Sequence, residues 1–233
     1  TTLAEYRKEA PRWEVLLDID ALGKAEGVNW VWGGADCLRP AYDRCLISLS
    51  RGGADADVTR EFDVSDKAFV AGGFSRPEAK GQIGWIDTDT VYVSTDFGQG
   101  SMTSSGYPRI AKEWKRGTPM SAAKAVYEGQ ESDISVGAYR DHTPGFERDF
   151  VYRGLTFYTN ELYLRGKDGA LLKLDLPDGA QKGAFREWLS VELRQPWTVG
   201  GREYIAGSLL AIRLDAFLSG ARNFDVLFEP AQN

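Results

Sequence analysis

From Asn29 onward the chain alternates short runs of Val, Ile, Leu, Phe, Tyr and Trp with breaks of Gly, Asp, Asn and Pro. Runs of this length and β-branched content read as strands bounded by turns. The clearest case spans residues 44–64. A strand at Cys45–Ser50 leads into a polar, glycine-rich connection, Arg51–Asp57, and a second strand follows at Val58–Val64. Gly52 and Gly53 allow the chain to take positive φ there at little steric cost. Helical signals are few. Leu3–Lys8 predicts a short helical turn, and Asp18–Ala25 predicts a helix capped by Asp18 and stopped by Gly27. After a strand-like Ser208–Ile212, Asp215–Gly220 predicts a single turn of helix.

The strands fall into similar groups. The first holds Asn29–Trp32, Arg44–Ser50, Val58–Val64 and Ala68–Val70; the second Ile83–Ile86, Thr90–Thr95, Arg109–Lys115 and Lys124–Tyr127. The third holds Ile134–Tyr139, Phe150–Tyr158, Glu161–Leu164 and Ala170–Asp175. A shorter fourth holds Trp188–Leu193, Ser208–Leu214 and Phe224–Phe228. Equivalent strands recur about every 50 residues, the spacing of four-stranded propeller blades rather than of a sandwich. The expected fold is therefore all-β, a partial β-propeller of about four antiparallel blades forming a single domain over residues 1–233. Tight hairpins are expected at Thr88-Asp89, Thr159-Asn160 and Lys167-Asp168-Gly169. Longer loops, Asp96–Pro108 and Arg140–Phe146, are expected to emerge at a rim, where binding surfaces are commonly built.

Composition narrows the classes. At 233 residues the chain can bury a sizeable core. No apolar run approaches the roughly 18 residues that span a bilayer, and the polar, charged Thr1–Trp13 does not read as a signal peptide. A net charge of −6 with no basic run argues against nucleic-acid binding. A soluble protein with neither nucleic-acid nor membrane partners is expected. The two cysteines, Cys37 and Cys45, flank a turn; two half-buried thiols are the favoured reading, with a disulfide left open. They supply too few ligands for a zinc site.

Candidate chemistry is sparse. His142 is the only histidine, so a Ser-His-Asp triad must use it, with Asp141 to orient it and Ser101, Ser104 or Ser105 as nucleophile. No Gly-x-Ser-x-Gly elbow is present, and a loop histidine that either bonds backbone or points out from its blade is the better reading. Ser121 and Lys124 match a Ser-x-x-Lys pattern, which needs both residues on one face of a buried helix; a connector is expected instead. Asp18/Asp20 and Asp87/Asp89 are read as caps and turns rather than calcium ligands. Asp141, Glu147 and Asp149 are the nearest candidates for a glycosidase acid pair, with solvated loop charges as the default. Trp30 and Trp32 share one side of a strand and are read as packing between blades. No catalytic, cofactor-binding or metal-binding residue is assigned, and no cofactor is expected.

Several separated motifs, in order, carry a family resemblance. Leu49-Ser50-Arg51-Gly52-Gly53-Ala54-Asp55 is followed by a Val-Thr-Arg strand and Phe62-Asp63-Val64. Gly84-Trp85-Ile86-Asp87 precedes Thr90-Val91-Tyr92-Val93, and Trp114-Lys115-Arg116-Gly117-Thr118 and Asp141–Arg148 complete the set. Together, across Glu5–Pro230, they resemble the N-terminal β-propeller of the prolyl oligopeptidase family of serine peptidases, bacterial branch. The resemblance implies a seven-bladed propeller paired with a C-terminal α/β-hydrolase domain that carries the Ser, Asp and His and cleaves short peptides, often after proline. Here only about four units and no hydrolase domain are found. It further implies a catalytically inert propeller fragment that gates substrate access, in a bacterial cytoplasm or periplasm, and open blade edges able to self-associate. The alternatives are a free-standing module binding peptides or glycans through rim loops and, behind it, a small propeller glycosidase.

Overall fold

The computed structural model describes Thr2, Glu5 and residues 13–231. The expected turn at Leu3–Lys8 lies largely outside the described residues. The chain divides into two compact units, residues 1–78 and 79–233, each built of antiparallel sheet.

In the first unit, Asp18 caps helix α1 (Ile19–Glu26) by accepting from the Ala21 amide at 2.9 Å, and Gly27, at φ 67°, ends it. Strands β1 (Trp30–Cys37), β2 (Arg44–Arg51), β3 (Asp57–Asp63) and β4 (Ala68–Phe69) follow in sheet order, and β5 (Ser75–Ala79) also pairs with β3. Gly52 and Gly53 turn the β2–β3 hairpin at φ 60° and 84°. The core gathers Trp30, Cys45, Ile47, Leu49 and Phe62, with Ile19 and Leu22 of α1 packed on it. The guanidinium groups of Arg51 and Arg60 lie over Trp30, 5.0 and 5.2 Å from its ring. Its Nε1 donates to Glu26, which also takes a fork of bonds from Arg60. Trp32 differs: it is 51% exposed, next to a bulge between Trp32 and Gly34. The shared-face expectation for the pair thus gives one packed ring and one open to solvent.

Strand β5 was not legible in the sequence because Arg76, Pro77 and Glu78 mask it. Arg76 is only 1% exposed; it pairs with Asp57 and donates to the Thr59 hydroxyl at 3.2 Å. Burial lowers the Arg76 pKa and raises that of Asp57 against their mutual attraction. Beside them the buried Glu61 accepts from the Phe74 amide at 2.9 Å. Charged side chains satisfied in this way hold a strand that hydrophobic patterning misses.

The second unit contains three four-stranded sheets. Sheet II is β6 (Gln82–Asp87), β7 (Thr90–Ser94), β8 (Ile110–Lys115) and β9 (Lys124–Glu128). Sheet III is β10 (Ser135–Asp141), β11 (Arg148–Gly154), β12 (Asn160–Arg165) and β13 (Leu171–Lys173). Sheet IV begins with β14 (Gln181–Phe185) and β15 (Trp188–Glu192). The chain then makes a separate hairpin, β16 (Trp197–Val199) and β17 (Arg202–Tyr204), and returns as β18 (Leu209–Arg213), helix α2 (Leu214–Leu218) and β19 (Asp225–Phe228). Tyr92, Ala111, Val136, Ala138 and Val151 form a core shared by sheets II and III. A larger one shared by sheets III and IV holds Phe150, Leu162, Leu174, Leu189, Leu210 and Phe217.

The fold is all-β, with four larger sheets as expected and a separate two-stranded hairpin, and with three corrections. β14 completes a fourth sheet of four strands; its Gln-Lys-Gly-Ala-Phe run has no β-branched residue to announce it. β10 and β11 extend through Asp141 and from Arg148, because Arg140–Asp149 and Asp141–Arg148 face each other across the ladder and pair. Strand β11 stops at Gly154, so the aromatic Phe157 and Tyr158 fall in a turn and not in the expected strand.

The expected pair of thiols is also corrected: Cys37 and Cys45 form a disulfide, with Cα atoms 4.0 Å apart. They are directly opposite in the β1–β2 register, beside a bonded pair in which the Leu38 amide donates to the Arg44 carbonyl at 2.8 Å. Pairs at non-bonded positions bring side chains closest, and that register supplies what spacing alone did not. The C37A/C45A variant is expected to lose about 2–3 kcal/mol of stability in urea unfolding under oxidising conditions, from the short loop the bond closes. Two titratable thiols in the denatured, unreduced wild-type chain would refute the pairing.

Candidate functional site

The polar residues of the second unit gather at two ends. At one, the β6–β7, β10–β11 and β12–β13 turns surround a cleft of about 710 Å³ between sheets II and III. Ile86, Leu164 and Tyr92 give it an apolar floor, and charged side chains form its walls. Arg165 donates to the Tyr92 hydroxyl and to Glu113, each at 2.8 Å, with its guanidinium 5.7 Å from the Tyr92 ring. Arg140 bonds both Asp149 oxygens. Arg148 donates to Asp141 at 3.2 Å and stands 6.0 Å from the rings of Phe146 and Phe150. Burial pushes the Tyr92 hydroxyl up to about 12 although Arg165 opposes the shift. Each guanidinium here already has a carboxylate, while the buried Nε atoms of Arg148 and Arg165 have no hydrogen-bond partner.

The three acids considered for glycoside hydrolysis are at this end, held in other roles. Burial would raise Asp141, but hydrogen bonds from Thr143 and the Arg148 guanidinium outweigh it and keep the carboxyl below its usual range. Glu147 is lowered by backbone N–H groups, including that of Gly145. A general acid needs the opposite shift. Asp149 is committed to Arg140.

His142 sits here too, its Nε2 2.9 Å from the Trp85 carbonyl oxygen, which is the backbone-bonded reading. The serines of the long loop are elsewhere. Ser101 donates to the Gly98 carbonyl at 2.6 Å inside its own loop. That loop is fastened to the start of β10 by Thr103 Oγ1 to Ile134 O at 3.1 Å and the Val136 amide to Pro108 O at 2.8 Å. His142 follows the far end of β10. Seven strand residues, Ser135–Asp141, separate the two sites, about 20 Å at the rise of a strand. The structure does not bring Ser101, Ser104 or Ser105 to His142. Ser121 lies in a short 3-10 helix at Met120–Ala122, Lys124 opens β9, and both are exposed, which is a connector. Asp18 is the α1 cap, and the Asp89 amide donates to Asp87 at 2.9 Å in the β6–β7 turn. Among the described residues no group of three or more His, Cys, Asp or Glu is placed to hold a metal.

The other end carries the connections from second to third strands: the loop at residues 95–109, the turn at 155–159, and the excursion through β16 and β17. It is stitched by Arg153, which donates to both oxygens of buried Asp133 at 2.8 and 3.0 Å and to Glu161 at 3.2 Å. Glu161 is drawn down by Lys173, Tyr163 and Arg153 against its burial. Sequence reasoning found none of Glu113, Arg153 or Arg165. The available signal was cross-strand position: each stands on a third-strand or second-strand edge whose partner lies on a neighbouring strand or sheet.

Antiparallel four-stranded sheets, stacked face to face and joined in sequence, define a propeller-type scaffold. The family comparison agrees, since residues 2–168 match the model for the prolyl oligopeptidase N-terminal β-propeller domain. The chain belongs to that family. It is 40% identical across its whole length to an uncharacterized peptidase of Sinorhizobium fredii and 30% identical to one of Rickettsia prowazekii. It superposes over 99% of its length on a post-proline cleaving enzyme from Rickettsia typhi, with a TM-score of 0.89 and 31% identity. A prolyl endopeptidase structure at 16% identity shares the fold, with a TM-score of 0.69. The chain spans about a third of the relatives it matches: 33% and 35% of the two peptidases and 36% of the Rickettsia typhi enzyme.

Lys182 ties sheet IV to the same end, donating to the carbonyls of Asn160 at 2.7 Å and Pro177 at 2.8 Å. Burial lowers its pKa to about 8, against the attraction of Asp178. The unfolded chain keeps this amine protonated up to about 10.4, so between these values it binds the proton more tightly than the folded chain does. Stability is therefore expected to rise from pH 8 towards 10.5 and to be lost again as pH falls through 8. Urea midpoints across this range, compared with those of Lys182→Met, isolate the term. An identical pH slope in the variant would remove Lys182 as its source.

Proposed function

We propose that this chain is part of the propeller domain of a prolyl-oligopeptidase-like serine peptidase, that both its units belong to one such domain, and that it restricts access to a hydrolase domain carried elsewhere in a longer polypeptide. The chain itself supplies scaffold and no catalytic group. One observation carries this reading: the sole histidine is bound to the Trp85 carbonyl at the end of the unit opposite the candidate serines, in a chain a third as long as its peptidase relatives. Family membership supports peptides as the substrates of the whole protein. The lowered Asp141 and Glu147 weigh against the glycosidase alternative. Outer strands with exposed Leu172, Leu227 and Phe228 favour self-association when the remainder of the polypeptide is missing.

The full-length protein is expected to turn over a chromogenic Xaa-Pro peptide and to leave folded proteins and long chains intact, while residues 1–233 alone are inactive. Turnover by residues 1–233 that disappears in His142→Ala would overturn the inert assignment. Equal cleavage of long and short substrates by the full-length protein would overturn the gating role.

A further inference from the structure

The β11–β12 turn carries two aromatic rings in solvent. Phe157 is 87% exposed and Tyr158 66%, and the rings meet edge to face at 6.0 Å. Adjacent exposed aromatics are costly unless something covers them. The turn is also fixed in shape. The Leu155 and Thr156 amides donate to the Thr159 carbonyl at 2.9 and 3.2 Å, and the amides of Tyr158 and Thr159 donate to the Thr156 hydroxyl at 3.3 and 3.2 Å. The Thr156 and Thr159 hydroxyls lie 2.7 Å apart. A turn pre-ordered in this way presents its rings with little entropy left to lose on binding. Arg194, just beyond β15, lays its guanidinium 5.4 Å from the Tyr158 ring, and no carboxylate among the described residues pairs with it.

The relatives are about three times as long as this chain, so most of the polypeptide that would share this surface lies outside it. We propose that Phe157 and Tyr158 seat another part of the full-length polypeptide, an apolar surface carrying a carboxylate that meets Arg194. The proposal rests on the reading of the chain as one portion of a longer peptidase. It adds the contact by which this end of the scaffold is held to the rest. The two rings would supply the apolar anchor, and Arg194, exposed and laid over the Tyr158 ring, would supply charge selectivity.

Hydroxyl-radical footprinting reads this directly, without a variant that must fold. Modification of Phe157 and Tyr158 is expected to drop severalfold in the full-length protein relative to residues 1–233. In the full-length protein, R194E is expected to restore modification of both rings and F157S/Y158S to raise modification of peptides outside residues 1–233, while the melting temperature of residues 1–233 carrying the same changes stays near wild type. Equal modification in both forms would overturn the docking proposal. So would protection that arises in residues 1–233 alone with concentration and tracks a dimer in sedimentation velocity, since a second copy would then be the occupant. Turnover of the Xaa-Pro peptide is scored on the same samples. Active full-length protein with unprotected rings defeats the docking contact and leaves the functional reading intact. Inactive protein with protected rings does the reverse.

Discussion

Sheet III is covered on both faces, and that constraint orders the second unit. Neighbouring residues of one strand point to opposite sides, so Val151 enters the core shared with sheet II while Phe150 enters the core shared with sheet IV. Leu162 and Tyr163 divide in the same way. A sheet buried on both faces has no face left for charge, and its polar groups must collect at the strand ends. The small residues follow from the same constraint. Ala111 and Ala138 lie where sheets II and III meet, and a Cβ on Gly137 would fall on the Gln82 side chain. Larger residues there would push the sheets apart.

The strand ends are in turn stabilised chiefly by arginine. Arg140, Arg148, Arg153 and Arg165 each join strands or sheets through carboxylates, and their planar forks suit positions where two acceptors converge. Such pairs are half-buried, so their net worth is modest while both partners stand. Removing one leaves a desolvated charge behind. This is why acids that resemble a catalytic pair in the sequence are structural in the folded chain.

Much of the fold was legible because strands rich in Val, Ile and Leu, such as β2, β7 and β18, declare themselves by composition. What was missed was missed for definite reasons. β5 and β14 are held by buried charges or by a tight turn at Arg186, which takes φ 51°, and neither depends on β-branched side chains. The aromatic content of Phe157 and Tyr158 imitated a strand, because composition does not distinguish a ring packed in a sheet from one displayed on a turn. The disulfide needed the register of β1 on β2. The site was legible mainly by exclusion: His142 was read as bonded to backbone or pointing out from its blade, and it is bonded to the Trp85 carbonyl, but the Tyr92–Arg165–Glu113 network depends on contacts between sheets that no local window contains.

A serine-peptidase mechanism needs nucleophile, base and orienting acid within hydrogen-bond reach. In this unit the strand that separates the two ends keeps the serine-bearing loop and the histidine apart, and no rim loop bridges its length. Shortening that distance would require β10 to leave the sheet and uncover Val136 and Ala138 on the sheet II side. The core that makes the scaffold rigid therefore also fixes the separation of its polar residues. On the function proposed above, catalytic groups come to the scaffold from another part of the polypeptide. On that reading, the end that displays Phe157 and Tyr158 on an ordered turn offers an apolar anchor, whereas the cleft at the opposite end presents arginines already engaged by carboxylates.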